Sequence, residues 1–135
     1  MAQLIDTSVF ITMERQGHSM GDLIAVAADE PVALSAITAS ELMIGVRRAD
    51  PPRRRLQREA FVEAILENFP VLPFDLRVAR VHAEVSAQLS AAGQTIGDHD
   101  MIIAATALAH GYSVLTDNLR DFHRVPGLEV RQPNW

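Results

Sequence analysis

The stretch IGDHDMIIAATALAHGYSVLTDNLRDF, residues Ile96 to Phe122, decides the fold. Asp98 and Asp100 open an apolar run that reads as a helix from about His99 to His110, and Gly111 ends it. Val114-Leu115 follow as a short aliphatic strand closed by Thr116-Asp117-Asn118. A helix that runs through a glycine into a buried strand is one turn of an alternating α/β chain.

The same alternation extends outward in both directions. Gln3-Leu4-Ile5 is a short strand ending at Asp6, and Thr7 to about Gln16 is a helix with polar capping residues at its start. Asp22 to Asp29 continues as a helical segment, Pro31 to Leu34 is a second strand, and a helix beginning near Thr38 runs to about Arg48. Pro51-Pro52 breaks that helix. The next one reaches Asn68 with Leu56, Ala60, Ile65, Leu66 and Phe69 as its apolar side. Val71 to Phe74 is a third strand, Asp75 caps a helix that ends at Gly93, and Leu128 to Val130 is a fifth strand. Strands separated by helices imply right-handed crossovers and a mostly parallel sheet of four to five strands. The fold expected is therefore α/β, with helices on both faces in three α/β/α layers.

At 135 residues, nearly half of them hydrophobic, the chain suits one domain over residues 1–135 with a substantial core. No apolar run approaches the roughly 20 residues that cross a bilayer, and the N-terminus lacks the basic-then-apolar order of a signal peptide. A cytoplasmic protein with no membrane partner is expected. The absence of cysteine excludes disulfides, thiolate chemistry and cysteine-bound zinc, so any metal must be held by oxygen or imidazole. Abundant carboxylates then favour Mg2+ or Mn2+.

Ligands of open parallel sheets sit outside the carboxyl ends of the strands, where Asp6 and Asp117 both fall. Glu41, early in the helix after the second strand, can be directed to that edge, and Asp98 and Asp100 enter it on the first turn of their helix. Each acid also has a local explanation. Asp6 can cap the first helix, Glu41 completes a capping box with Thr38, and Asp98 sits where an N-cap belongs with Asp100 beside it. His99 is expected to point away along its helix. The joint arrangement is the stronger signal, because like charges gathered at one edge repel, and a bound cation relieves the repulsion.

The formal charge of −5 argues against nonspecific coating of nucleic acid. Yet Arg47, Arg48, Arg53, Arg54, Arg55 and Arg58 gather within a dozen positions, and no lysine occurs anywhere. This run fits a solvated helix face and a phosphate-contacting face equally well. Missing lysine disfavours a phosphoacceptor receiver domain. Neither phosphate-cradling glycine pattern occurs, which disfavours a nucleotide-binding module.

Leu4-Ile5-Asp6-Thr7-Ser8, Ser40-Glu41 with Gly45, Ile96-Gly97 with Asp100 and Ile103-Ala104-Ala105, and Val114-Leu115-Thr116 before Phe122 resemble the PIN-domain ribonucleases of the VapC toxin type. Val125-Pro126-Gly127-Leu128 and the closing Trp135 resemble that family's tail. The resemblance implies a metal-dependent endoribonuclease, with Asp6, Glu41 and Asp100 holding Mg2+ or Mn2+. It also implies restraint by a small VapB-like antitoxin inserted over the active edge, and homodimerisation within that complex. Many members carry a fourth acid where Asn118 stands. Asp117 can take its place as a catalytic acid, as can Asp98, or Asn118 itself through its amide oxygen or a water. Ser8 and Thr116 are candidates to orient a carboxylate, and Arg47, Arg48, Arg53 and Arg54 to contact RNA. Val26, Ile37, Leu42, Met43 and Ile65 offer apolar surface for the antitoxin or a second copy, although core packing is the commoner use of such residues. A PIN-fold protein that only binds, with its acids incomplete at Asn118, is the competing reading.

Overall fold

The computed structural model describes residues 1–135. Strands β1 (Gln3–Ile5), β2 (Val32–Ser35), β3 (Val71–Leu72), β4 (Ser113–Leu115) and β5 (Val130–Arg131) form one sheet in the order β3-β2-β1-β4-β5. Every neighbouring pair is parallel, so the sheet is wholly parallel rather than mostly so. The helices are α1 (Thr7–Gln16), α2 (Met20–Val26), α3 (Ala36–Arg48), α4 (Pro52–Asn68), α5 (Leu76–Ala91), α6 (Asp98–His110) and the short α7 (Leu119–Phe122).

The central strands can be short because each is buried on both faces. Along β1, Leu4 joins the core beneath α5 and α6 while Ile5 joins the one beneath α1, α3 and α4. β2 divides Ala33 from Leu34, and β4 divides Val114 from Leu115, in the same alternation. The two cores are therefore separated by the sheet and fixed in register by its side-chain period of two. Phe10 and Met13 of α1 complete one core, and Ile103, Ala104 and Phe122 complete the other.

Several local expectations shift by small amounts. The segment expected from Asp22 to Asp29 is helical from Met20, because Ser19 and Asp22 form a reciprocal capping box. The helix expected from Thr38 starts at Ala36, where the Ser35 hydroxyl accepts the Thr38 amide at 3.2 Å. The strand expected over Leu128 to Val130 lies at Val130–Arg131, and α7 occupies a segment whose sequence reads as a loop.

The apolar side assigned to α4 is wrong in its N-terminal half. Leu56 and Ala60 are exposed, and the helix seats itself with the expected Ile65 and with Val62, which lies outside the expected set. The first turns of α4 are exposed and rich in arginine, and Leu56 lies uncovered among them. Of the surfaces considered for partners, Leu42 and Ile65 are core, Val26 and Ile37 are half-buried against it, and only Met43 is exposed.

These placements give a direct stability test by urea denaturation. Leu115→Ala, at a position 1 % exposed, should cost about 2–5 kcal/mol. Leu56→Ser should stay within about 0.5 kcal/mol of the parent.

Candidate active site

The strand order places the switch point of the sheet between β1 and β4, since the chain leaves β1 towards β2 on one side and returns through β4 on the other. The residues that follow these two strands, Asp6 and Thr116, lie side by side, with the Asp6 amide bonded to the Leu115 carbonyl at 2.9 Å. A short polar network closes over them. Ser8 Oγ and Thr116 Oγ1 each donate to Asp6 Oδ2 at 2.7 Å. The same hydroxyls accept the backbone amides of Asp117 at 3.1 Å and Asn118 at 2.8 Å. Each hydroxyl thus accepts a hydrogen bond from the loop and donates its own to the carboxylate.

This network settles the local reading of Asp6. It stands at the N-cap position of α1 but makes no side-chain cap bond, because its carboxylate is held towards β4. Ser8 and Thr116 sit where the sequence placed them, beside a carboxylate. Burial pushes the Asp6 carboxyl above its usual value, against the opposing hydrogen bonds from Ser8, Thr116 and the Thr7 amide, and the charge of Glu41 adds to the rise.

Glu41 does not cap its helix either, since Ser35 does. One oxygen accepts the Thr7 hydroxyl at 2.8 Å, and the other lies 3.2 Å from His99 Nδ1. His99 therefore turns towards the acids instead of running along the helix surface. Its position one residue before Asp100 on α6 brings it over the edge, a placement that helical periodicity does not reveal.

Asp100 is the centre of the cluster. Its carboxyl is pushed up to about 6, first by burial and then by the charges of Asp6, Asp121 and Glu41, while the Asn118 amide works in the other direction. Asn118 Nδ2 lies 3.2 Å from Asp100 Oδ2 and 3.1 Å from Asp121 Oδ2, so one amide spans two carboxylates.

The candidates for a fourth acid separate clearly. Asp117 turns outward, where its carboxylate accepts the Thr12 hydroxyl at 2.7 Å. Asp98 is exposed in the first turn of α6, and Gly97 holds the N-cap position expected for it. The acid that joins the others is Asp121, which the sequence pattern does not single out. Its one signal is the spacing of Asn118, Asp121 and Phe122, in which buried Phe122 anchors one helical turn and aims Asp121 back at Asp100.

The arginines also divide. Arg54 and Arg58 line a cleft of about 820 Å3 between α1, α3 and α4 that reaches Thr7 and Glu41. Arg47 and Arg55 line a smaller hollow of about 240 Å3 with Met43 and Glu63. Arg48 and Arg53 are exposed on the surface. Only Arg54 of the four expected RNA contacts therefore lines the cleft that opens from the acids.

The donor set suits a hard divalent cation, being four carboxylates of which Asp100 is raised by burial first and by the charges of the other three next. As they stand, no three acidic or imidazole side chains are grouped closely enough to hold one ion.

A family model described as the PIN domain matches residues 4–128. The chain belongs to the PIN-domain family. It is 40 % identical over 130 residues to ribonuclease VapC1 of Rickettsia felis, an alignment covering 96 % of this chain and 95 % of that one. Among PIN-domain structures it superposes on the VapBC2 complex of R. felis, bound to a promoter DNA fragment, with a TM-score of 0.87 at 23 % identity. That match covers 99 % of this chain and 100 % of the other, and it shows the fold. VapBC-5 of Mycobacterium tuberculosis, described as a member of the VapBC family of toxin–antitoxin systems, matches with a TM-score of 0.77 at 31 % identity, covering 99 % and 98 % of the two chains.

The raised Asp100 value carries a pH signature. A carboxyl harder to ionise folded than unfolded favours the fold below its ordinary value of 3.8, and this advantage is lost as pH rises through about 6. Metal-free Asp100→Asn protein should therefore melt higher than the parent at pH 7.5, with the gap closing towards pH 4. Thermal melts read by circular dichroism at the two pH values check this.

Proposed function

We propose that this PIN-domain protein is an endoribonuclease, the toxin of a toxin–antitoxin pair, which hydrolyses RNA phosphodiester bonds with Mg2+ or Mn2+ held by Asp6, Glu41, Asp100 and Asp121. The observation that carries this is the convergence of Asp6, Glu41 and Asp121 on Asp100 at one sheet edge, where burial first and their charges next push the Asp100 carboxyl up. Such repulsion destabilises a site with no cation and turns into affinity for one. The relatives' names supply the substrate class, and the VapBC complexes support a VapB-like antitoxin as partner; a second copy of the chain in that assembly is part of the proposal. The setting proposed is the cytoplasm, and no helix is long and apolar enough to cross a membrane.

A bound divalent ion supplies an activated water and neutralises charge on the phosphorane-like transition state. The chain's own residues prepare that chemistry. Ser8 and Thr116 fix Asp6 through donors whose direction is set by the loop amides, so its carboxylate does not need to reorient. Asn118 holds Asp100 and Asp121 together through its amide. Thr7 and His99 grip Glu41 from two sides. Asp117, bonded to Thr12, is assigned no catalytic part.

The binding-only alternative drew its support from Asn118 standing where a fourth acid was expected. Asp121 fills that role from the next helical turn, so the alternative loses its main argument.

Purified protein incubated with total RNA should cleave it in Mn2+ or Mg2+ and not in EDTA. Asp121→Asn should lower cleavage by about a hundredfold or more, the scale on which a loss of roughly 3 kcal/mol of transition-state stabilisation appears. Asp117→Asn should stay within a few-fold of the parent. Equal losses in the two variants would overturn the choice of Asp121.

A further inference from the structure

The cleft between α1, α3 and α4 extends away from the acid cluster and meets it at Thr7 and Glu41. Its volume of about 820 Å3 falls in the range of roughly 300–1,000 Å3 typical of sites for small organic ligands. Its charges are arranged unequally. Glu14 and Arg58 cancel across the cleft, with Arg58 Nη2 at 2.8 Å and Nε at 2.9 Å from the carboxylate, and this pair ties α4 to α1. Glu41 is occupied by Thr7 and His99.

What remains unpaired is positive. Arg15 in the last turn of α1 and Arg54 in the first turns of α4 face this space without an acidic partner. Ile11, Leu42 and Phe61 line the same cleft and give it apolar surface suited to the face of an unpaired base. On a chain of formal charge −5, two free guanidinium groups in a cleft with apolar surface and continuous with the acidic edge are a local exception.

We propose that this cleft is a subsite for single-stranded RNA, holding the nucleotides that flank the phosphate at the acid cluster, with Arg15 and Arg54 contacting their phosphates. The proposal rests on the endoribonuclease reading and adds where the strand runs. Duplex RNA does not fit, because apolar surface in a cleft between helices requires an unstacked base. Arg55, one residue along α4 but facing the opposite hollow with Glu59 and Glu63, is excluded from the path.

The test uses Asp100→Asn protein, which binds without cutting, titrated with a short fluorescein-labelled single-stranded RNA across a salt series and read by anisotropy. Adding Arg54→Ala or Arg15→Ala should weaken binding several-fold and make the slope of log affinity against log salt shallower by about 0.7 for each phosphate no longer neutralised. Adding Arg55→Ala should leave affinity and slope unchanged. Equal effects of Arg54→Ala and Arg55→Ala would mean diffuse attraction only and overturn the subsite. Unchanged binding in Arg15→Ala and Arg54→Ala would also overturn it and leave the cleft to a protein partner. Cleavage by the parent in Mn2+ is run beside these titrations. A parent that cuts RNA while Arg54→Ala binds normally sinks the subsite alone, whereas a folded parent that neither binds nor cuts sinks the nuclease reading beneath it.

Discussion

The constraint on which the candidate site depends is the gathering of four carboxylates at one edge of the sheet, where burial and like charge both work against ionisation of Asp100. Asp6, Glu41, Asp100 and Asp121 come from four separate segments, and the last three reach a position fixed by helices seated in two different cores. A loosely packed scaffold would let such groups separate into solvent. Here Ile5 and Leu115 on one face, with Leu4 and Val114 on the other, hold β1 against β4, so the residues following them cannot drift apart. Packing energy, spread over two apolar cores, keeps a small number of unfavourable charges in place.

Around those charges, polar groups act in one direction. The loop after β4 contributes two amides, the amides orient two hydroxyls, and both hydroxyls point at Asp6. On the other side Asn118 stands between Asp100 and Asp121 with an amide donor that neither acid can supply for the other. An aspartate at that position would add a fifth charge without adding a donor. Asp121, one helical turn on, brings the acid that Asn118 does not.

Much of this is legible in the sequence because parallel α/β folds leave strong marks. Short aliphatic strands bounded by Asp6 and Thr116, and helices closed by Gly111, mark the strand positions and the edge on which the acids gather. Other features depend on three-dimensional neighbours and leave no periodic trace. Asp6 and Glu41 both match capping patterns, and only the hydroxyls arriving from other segments draw them away from that task. Asp117 adjoins the strand and looks better placed than Asp121, yet one residue of displacement sends it to Thr12. The apolar positions of α4 suggest a continuous stripe, but only its C-terminal half meets the core, through Val62 and Ile65, and Leu56 is left exposed.

Whether the four carboxylates form a cation site is decided by Mn2+ binding, without reference to any RNA. Electron paramagnetic resonance of free Mn2+ titrated with protein should show saturable binding that is strongly weakened in Asp100→Asn and retained in Asp117→Asn. Saturable binding that is equally strong in the parent and in Asp100→Asn, or none at all by a folded parent, would contradict the cation site.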